Sequence, residues 1–205
     1  NAEKNVKFID KEKDTTIFSD KVTYLKNDEI VFTEGNSKAT TEKYIITGSN
    51  FKFDKIQNIL NAEKNVKFID KEKNTTIFSD KVTYLKNDEI IFTEGNSSAL
   101  IQNKYDFTSK NVRYLKNEQK LSSDNKSFII DDKGNTYKLD QFLYDINKKL
   151  LKGINVNVTA KVDENKKDNY FFSEGFFNLE SKSFVSKETN IKVHKSIIIL
   201  FNLIF

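Results

Sequence analysis

The stretch NAEKNVKFIDKEKDTTIFSDKVTYLKNDEIVFTEGNS, residues 1–37, is written a second time at residues 61–97, sixty residues on. Two positions differ: Asp14 stands against Asn74, and Val31 against Ile91. A catalytic domain does not usually absorb such an insertion without losing its geometry. A stack of like units does, because each unit touches mainly its neighbours.

The period divides again, into halves near thirty residues. Each half carries an alternating apolar run, a polar step, a central apolar pair, a Lys- and Asn-rich turn and a second short apolar run. The central pairs are Val22/Tyr24, Phe51/Phe53, Val82/Tyr84, Val112/Tyr114, Phe142/Tyr144 and Phe177/Leu179. Within the runs the period is two, as in Val66-x-Phe68, Ile90-x-Phe92, Tyr105-x-Phe107 and Val156-x-Val158, which predicts strands with one buried face. Thr, Val, Ile, Phe and Tyr fill them, in keeping with β preference. Turns are expected at LKNDE (25–29), DKIQN (54–58), LKNEQ (115–119), DDKGN (131–135) and INKKL (146–150), where Asn, Asp and Gly tolerate tight backbone. The polar steps Ser19-Asp20-Lys21 and Ser109-Lys110-Asn111 slip the alternation by one residue, as a β-bulge does. The expected fold is all-β: an open roll, or jellyroll, of antiparallel sheets facing one another in a V, built from thirty-residue two-strand repeats.

Composition narrows the function classes. The chain has 205 residues, 37% hydrophobic, with 18 Phe and 8 Tyr, which is enough apolar side chain for a core and too much for a disordered segment. Net charge is +4 and lysines alternate with acids instead of forming a stripe, so nucleic acid is not an expected partner. There is no Cys, which excludes disulfides and thiolate metal sites. The sequence starts inside a repeat without Met, and reads as a fragment or mature segment.

SDKVTYLKNDEIIFTEGN, from Ser79, resembles the OstA-like repeat of the lipopolysaccharide-transport family. Ser79, Asp80, Lys81, Val82 and Tyr84 match the first half of that motif, and Glu94-Gly95-Asn96 the second. Ser19, Asp20, Lys21, Val22, Tyr24, Glu34, Gly35 and Asn36 carry the same set. SFVSKETNIKVHKS, from Ser183, is similar to the stretch that closes the periplasmic domain of the outer-membrane LPS-assembly members; the soluble bridge members are the second choice. The resemblance covers residues 1–195, taken as one repeat domain, and lapses in the apolar tail 196–205, which reads as a final strand or a truncated end. It implies a periplasmic, outer-membrane-associated, non-enzymatic module that holds lipopolysaccharide acyl chains in an apolar slot. The implied slot residues are Val66, Phe68, Ile77, Val82, Tyr84, Ile90, Phe92, Tyr105, Phe107, Val112, Tyr114, Tyr137, Leu139, Phe142 and Tyr144, with Lys86 and Lys116 outside it in turns. It also implies partners of the same β-roll kind, joined by pairing along the N-terminal strand near Val6–Ile9 (residues 6–9), or self-association head to tail. No cofactor or metal is implied.

Other motifs have plainer readings. His194 is the single histidine and cannot by itself complete a zinc set. Gly35, Gly95 and Gly175 follow Glu and read as bulge or turn residues, not a phosphate cradle. The acidic pairs Asp28-Glu29, Asp88-Glu89 and Asp131-Asp132 read as solvated turns, since a catalytic acid and base have no reason to be copied at each turn. Alternating aromatics also suit a filled sandwich core. A structural or adhesive β-repeat stalk is therefore the competing function.

Overall fold

The computed structural model describes residues 1–162, 166–193 and 196–200, with side chains described through residue 191. His194 lies outside the described residues. Every regular element among them is a strand, and all the ladders below are antiparallel. No described helix is long and apolar enough to cross a membrane. The chain clusters into two compact units, Asn1–Asn103 and Lys104–Phe205.

The first unit is a meander. It runs through β1 (Ala2–Asp10), β2 (Thr15–Leu25), β3 (Ile30–Thr40), β4 (Tyr44–Gly48), β5 (Asn50–Asp54), β6 (Ile59–Asp70), β7 (Thr75–Leu85) and β8 (Ile90–Ile101). β4 and β5 are two halves of one long strand broken at Ser49: β4 pairs with the end of β3 and of β6, β5 with their beginnings. The turns fall where the sequence places them. In five of them the last residue is left-handed: Asp14, Glu29, Asn58, Asn74 and Glu89, with φ between 44° and 57°. Backbone bonds then tie each turn to the next on the same side, Lys55 N to Glu29 O at 3.0 Å and Lys86 N to Asn58 O at 3.1 Å.

The long strands bend at mid-length, and the register shows how. Inward positions on β2 step by three, from Ser19 to Val22, while on β3 they step by four, from Thr33 to Ser37. The ladder shifts by one residue there, and again between β6 and β7 and between β7 and β8. The four-step strands carry the left-handed residues, Gly35 on β3, Lys64 and Asn65 on β6, and Gly95 on β8. A bulge of this kind bends and twists a strand. Buried hydroxyls line the crease and bond one another: Ser19 to Ser37 at 3.0 Å and Thr33 to Ser37 at 2.6 Å, repeated as Ser97 to Ser79 at 3.1 Å and Ser97 to Thr93 at 2.7 Å. They satisfy polar groups that the bend would otherwise strand.

Folding at the crease turns the two halves of the sheet face to face. Tyr44 and Phe68, from one half, pack their rings 5.0 and 5.6 Å from Tyr84 of the other. Val66, Phe68, Ile77, Val82 and Tyr84 are all buried. Opposite the crease, side chains cross between the turn ends. Lys55 meets Asp10 at 3.5 Å and also pairs with Glu29. Lys86 donates to Lys13 O at 3.0 Å and Thr15 Oγ1 at 2.5 Å, lying over the rings of Phe53 and Tyr44. Lys86 is thus half-buried inside the fold, and Lys116 is buried as well. Both lie in turns as expected from sequence, but neither stands clear of the interior, because a four-carbon stem at a turn can cover apolar rings.

Ile90 and Phe92 also depart from expectation. Both lie half-buried on the outer side of β8, while Ile91 and Thr93 point inward. The hairpin decides it: Tyr84 pairs with Ile91 and Val82 with Thr93, and directly paired residues share a face. Counting apolar letters chose the wrong phase, and the turn fixed the right one.

The second unit continues the plan in shorter pieces. β9 (Tyr105–Lys110) and β10 (Arg113–Leu115) are followed by β11 (Lys120–Ser123), β12 (Ser127–Ile130), β13 (Thr136–Leu139) and β14 (Gln141–Asp145). They pair half by half, β9 with β12, β10 with β11, β12 with β13 and β11 with β14. Three long strands close the unit, β15 (Leu150–Lys161), β16 (Lys167–Asn178) and β17 (Phe184–Val193), and β18 (Ser196–Leu200) pairs onto the last. The first half of the apolar tail is therefore a strand. All six central pairs read from sequence fall on the inner side, Tyr24 half-buried and the other members buried.

Two predictions follow from the crease and from Lys86. At Gly35 (φ +86°) an added Cβ would stand 2.9 Å from the Asp20 Cβ, whereas at Gly95 (φ +81°) it would meet nothing within 4 Å. Ala at either site takes on left-handed strain of about 1–2 kcal/mol, and Gly35→Ala adds overpacking of roughly 1–3 kcal/mol. Urea unfolding of the full chain should rank Gly35→Ala below Gly95→Ala, and equal losses would contradict the two environments. Burial pulls the Lys86 ammonium down to about 8, against partial support from Asp10 and Asp14. The unfolded state then binds more protons between ~8 and the ordinary lysine value of ~10.4, so stability should rise with pH across that window. Lys86→Met should flatten the rise; a slope unchanged by the substitution would place its cause elsewhere.

Candidate functional site

The largely apolar cleft in the second unit opens between the facing halves near its C-terminal strands and has a volume of about 290 Å³. Tyr137 of β13, Val158 of β15 and Tyr170 and Phe172 of β16 form one wall, and Phe177 and Phe184 come from the other half. Phe172 packs 4.8 Å from Phe184 and 5.0 Å from Phe177, centroid to centroid, and Tyr170 lies parallel to Phe172 at 6.4 Å. Phe172 and Phe177 belong to one strand, and only its bend lets them face each other. Gly175 sits at that bend, where an added Cβ would press 3.0 Å from the Phe177 ring.

Why the halves part here and not in the first unit follows from the ladders. Between β15 and β16, and between β16 and β17, the pairing runs with no register shift, and inward positions step by three on all three strands. The mismatch that tightens the crease in the first unit is missing. Left-handed Asn155 (φ 50°) and Glu188 (φ 46°) still turn β15 and β17.

Polar groups gather at the rim. Asn135, Lys161 and Lys182 line it, and no carboxylate does so among the described lining residues. Asp131 sits just behind with its side chain fully buried. Its Oδ1 accepts the Lys133 and Asn135 backbone N–H groups at 3.0 and 2.9 Å. Its Oδ2 accepts Asn135 Nδ2 at 2.9 Å, the Tyr137 hydroxyl at 3.2 Å and the Lys182 ammonium. Burial pushes the Asp131 carboxyl up, but the hydrogen bonds from Lys182 and Asn135 outweigh it and hold it below its ordinary range. Burial, then the Asp131 charge, raises the Tyr137 phenol. Asp131 is therefore no solvated turn acid: the turn's own amide groups replace its water, which a run of two acidic letters does not reveal.

Of the fifteen residues singled out from sequence, Tyr137 lines this cleft. Leu139, Phe142 and Tyr144 are buried with Tyr105, Phe107, Val112 and Tyr114 in the core of the same unit, where Phe107 lies 5.3 Å from Phe142 and 5.1 Å from Tyr144. Val66, Phe68, Ile77, Val82 and Tyr84 belong to the packed core of the first unit, and Ile90 and Phe92 to its outer face. Sequence reasoning did not select Tyr170, Phe172 or Phe184. The signal available was aromatic density, since DNYFFSEGFF (168–177) holds five aromatic residues. Among the described lining residues there is no carboxylate to serve as acid or base. What it can do chemically is shelter an apolar chain.

No family model matches the chain, and no curated protein does. Among solved structures it is similar to LptH, the LptA homologous periplasmic component of the conserved lipopolysaccharide transport device from Pseudomonas aeruginosa. The two are 10% identical, the TM-score is 0.32, and the match covers 74% of this chain and 98% of that one. A likeness of that size decides nothing about function.

Proposed function

We propose that this chain is a non-enzymatic lipid-carrying module of the lipopolysaccharide-transport kind, which receives an acyl chain in the cleft of its second unit. The observation that carries the reading is the aromatic lining of that cleft, from Tyr137, Tyr170, Phe172, Phe177 and Phe184. Each methylene withdrawn from water there is worth about 0.8 kcal/mol. The repeat motif at Ser79–Asn96 (residues 79–96) is the second support. In this reading Leu139, Phe142 and Tyr144 back the cleft, and the inner residues of the first unit would meet lipid only on parting of its two halves. Localisation in the periplasm beside the outer membrane belongs to the same proposal. So does docking of a β-roll partner on β1, whose described ladder is with β2 alone.

One observation favours the stalk reading: the interior of the first unit is filled, with Phe53, Phe68 and Tyr84 fully buried against neighbours. Photocrosslinking separates the two. A crosslinking side chain at Phe184, in the cleft, should label lipopolysaccharide at least tenfold more than one at Phe18, which is 40% exposed on the outer face. Equal labelling, or none, would leave the stalk.

A further inference from the structure

The rim of the cleft holds a cation that has somewhere else to go. Lys182 stands at the end of the turn before β17, left-handed at φ 61°, with its side chain 29% exposed and its ammonium on Asp131. Lys182 is not the only partner of Asp131. Four further hydrogen bonds, from Lys133 N, Asn135 N, Asn135 Nδ2 and the Tyr137 hydroxyl, stay on the carboxylate if Lys182 swings away. Amide donors favour the charged form of a buried carboxylate, and here they add to the larger contribution of Lys182. Lys182 and Lys161 both line the cleft, and its described lining has no acid to answer them. The cavity itself, about 290 Å³, is at the small end of ligand pockets, which run from roughly 300 to 1,000 Å³. That is room for one chain and not for several.

We infer that the cleft selects single apolar chains carrying an anionic head, and that Lys182 leaves Asp131 to bind that head, so that Asp131 is a built-in competitor of the ligand. This rests on the lipid-carrying reading and adds to it a head-group chemistry, carboxylate or phosphate, and a residue that sets it. Lys161, on β15 at the same rim, supplies a second positive charge. With Lys182 on Asp131 the rim keeps a net positive charge beside an apolar floor, which attracts anionic amphiphiles over neutral ones of equal length. A ligand head has to replace a charge-assisted bond already made, so the preference should be moderate in the native protein and larger when the competitor is removed.

The test is equilibrium binding to the full chain, below micelle-forming concentrations, of three probes with the same twelve-carbon tail: dodecanoate, dodecyl phosphate and neutral dodecyl maltoside. The native chain should bind the two anions about tenfold more tightly than the neutral probe. Asp131→Asn keeps an acceptor for Lys133 N and Asn135 N but loses the charge that holds Lys182. It should tighten anion binding several-fold and leave the neutral probe unchanged. Lys182→Gln should erase most of the difference between anionic and neutral probes, and serves as the deciding variant if Asp131→Asn does not fold. The ratio of dodecanoate to dodecyl phosphate affinity tells which head is preferred. Neutral binding with no anion preference, or an Asp131→Asn variant that changes all three probes alike, overturns the exchange while the lipid reading stands. No saturable binding of any probe, or a cleft closed by a second copy in sedimentation, overturns both.

Discussion

A mismatch of one residue between neighbouring strands organises the first unit and β9 to β14 of the second, and it is absent from β15 to β17. Where β2 steps inward by three and β3 by four, the ladder must slip, and the slip folds a sheet of long strands over on itself. The packed interior around Phe68 and Tyr84 and the row of buried hydroxyls at the crease depend on that slip. So do the lysines that reach across the far side. Strands β15 to β17 step alike and pair without a slip, and there the halves stand apart around Phe172. A cleft and a solid core thus arise from the same meander by changing the step of alternate strands.

Much of this was legible from letters. Period two gave the strands, the Lys- and Asn-rich steps gave the turns, and the thirty-residue recurrence gave the central pairs, all of which face inward. The polar step at Ser19-Asp20-Lys21 was readable as a bulge because it breaks alternation in place. Phase was harder: Ile90 and Phe92 are as apolar as the inward Ile91 is, and only pairing with Tyr84 and Val82 distinguishes them. The cleft was harder still. A void is the difference between two packings, and no residue type encodes a difference. Tyr137 was found because it shares the alternating stripe. Phe184 was not, because it opens a strand after a turn and has no run of its own. The burial of Asp131 depended on amide groups, which every residue but proline carries and which the sequence does not mark.

Electrostatics in this fold is local. Net charge is small, yet particular lysines sit over rings or against buried acids at the turn ends: Lys55 at Asp10, Lys86 over Phe53 and Lys182 at Asp131. Lys55 and Lys182 join a turn of one half-sheet to a strand end or turn of the other, and Lys86 does so through Lys13 O and Thr15 Oγ1. Such contacts are weaker than a ladder and screened by salt at the surface.

The near-identical segments 1–37 and 61–97 end in different surroundings. Lys26 is exposed, while Lys86, its counterpart, lies over two aromatic rings and reaches a distant turn. Gly35 is crowded by Asp20, while Gly95 has open space. One letter therefore has two fitness costs, depending on which copy carries it. Neutral drift should not wear the two copies equally: lysine can be lost freely from the first and glycine more readily from the second. As they diverge, each copy would come to record its own place in the fold.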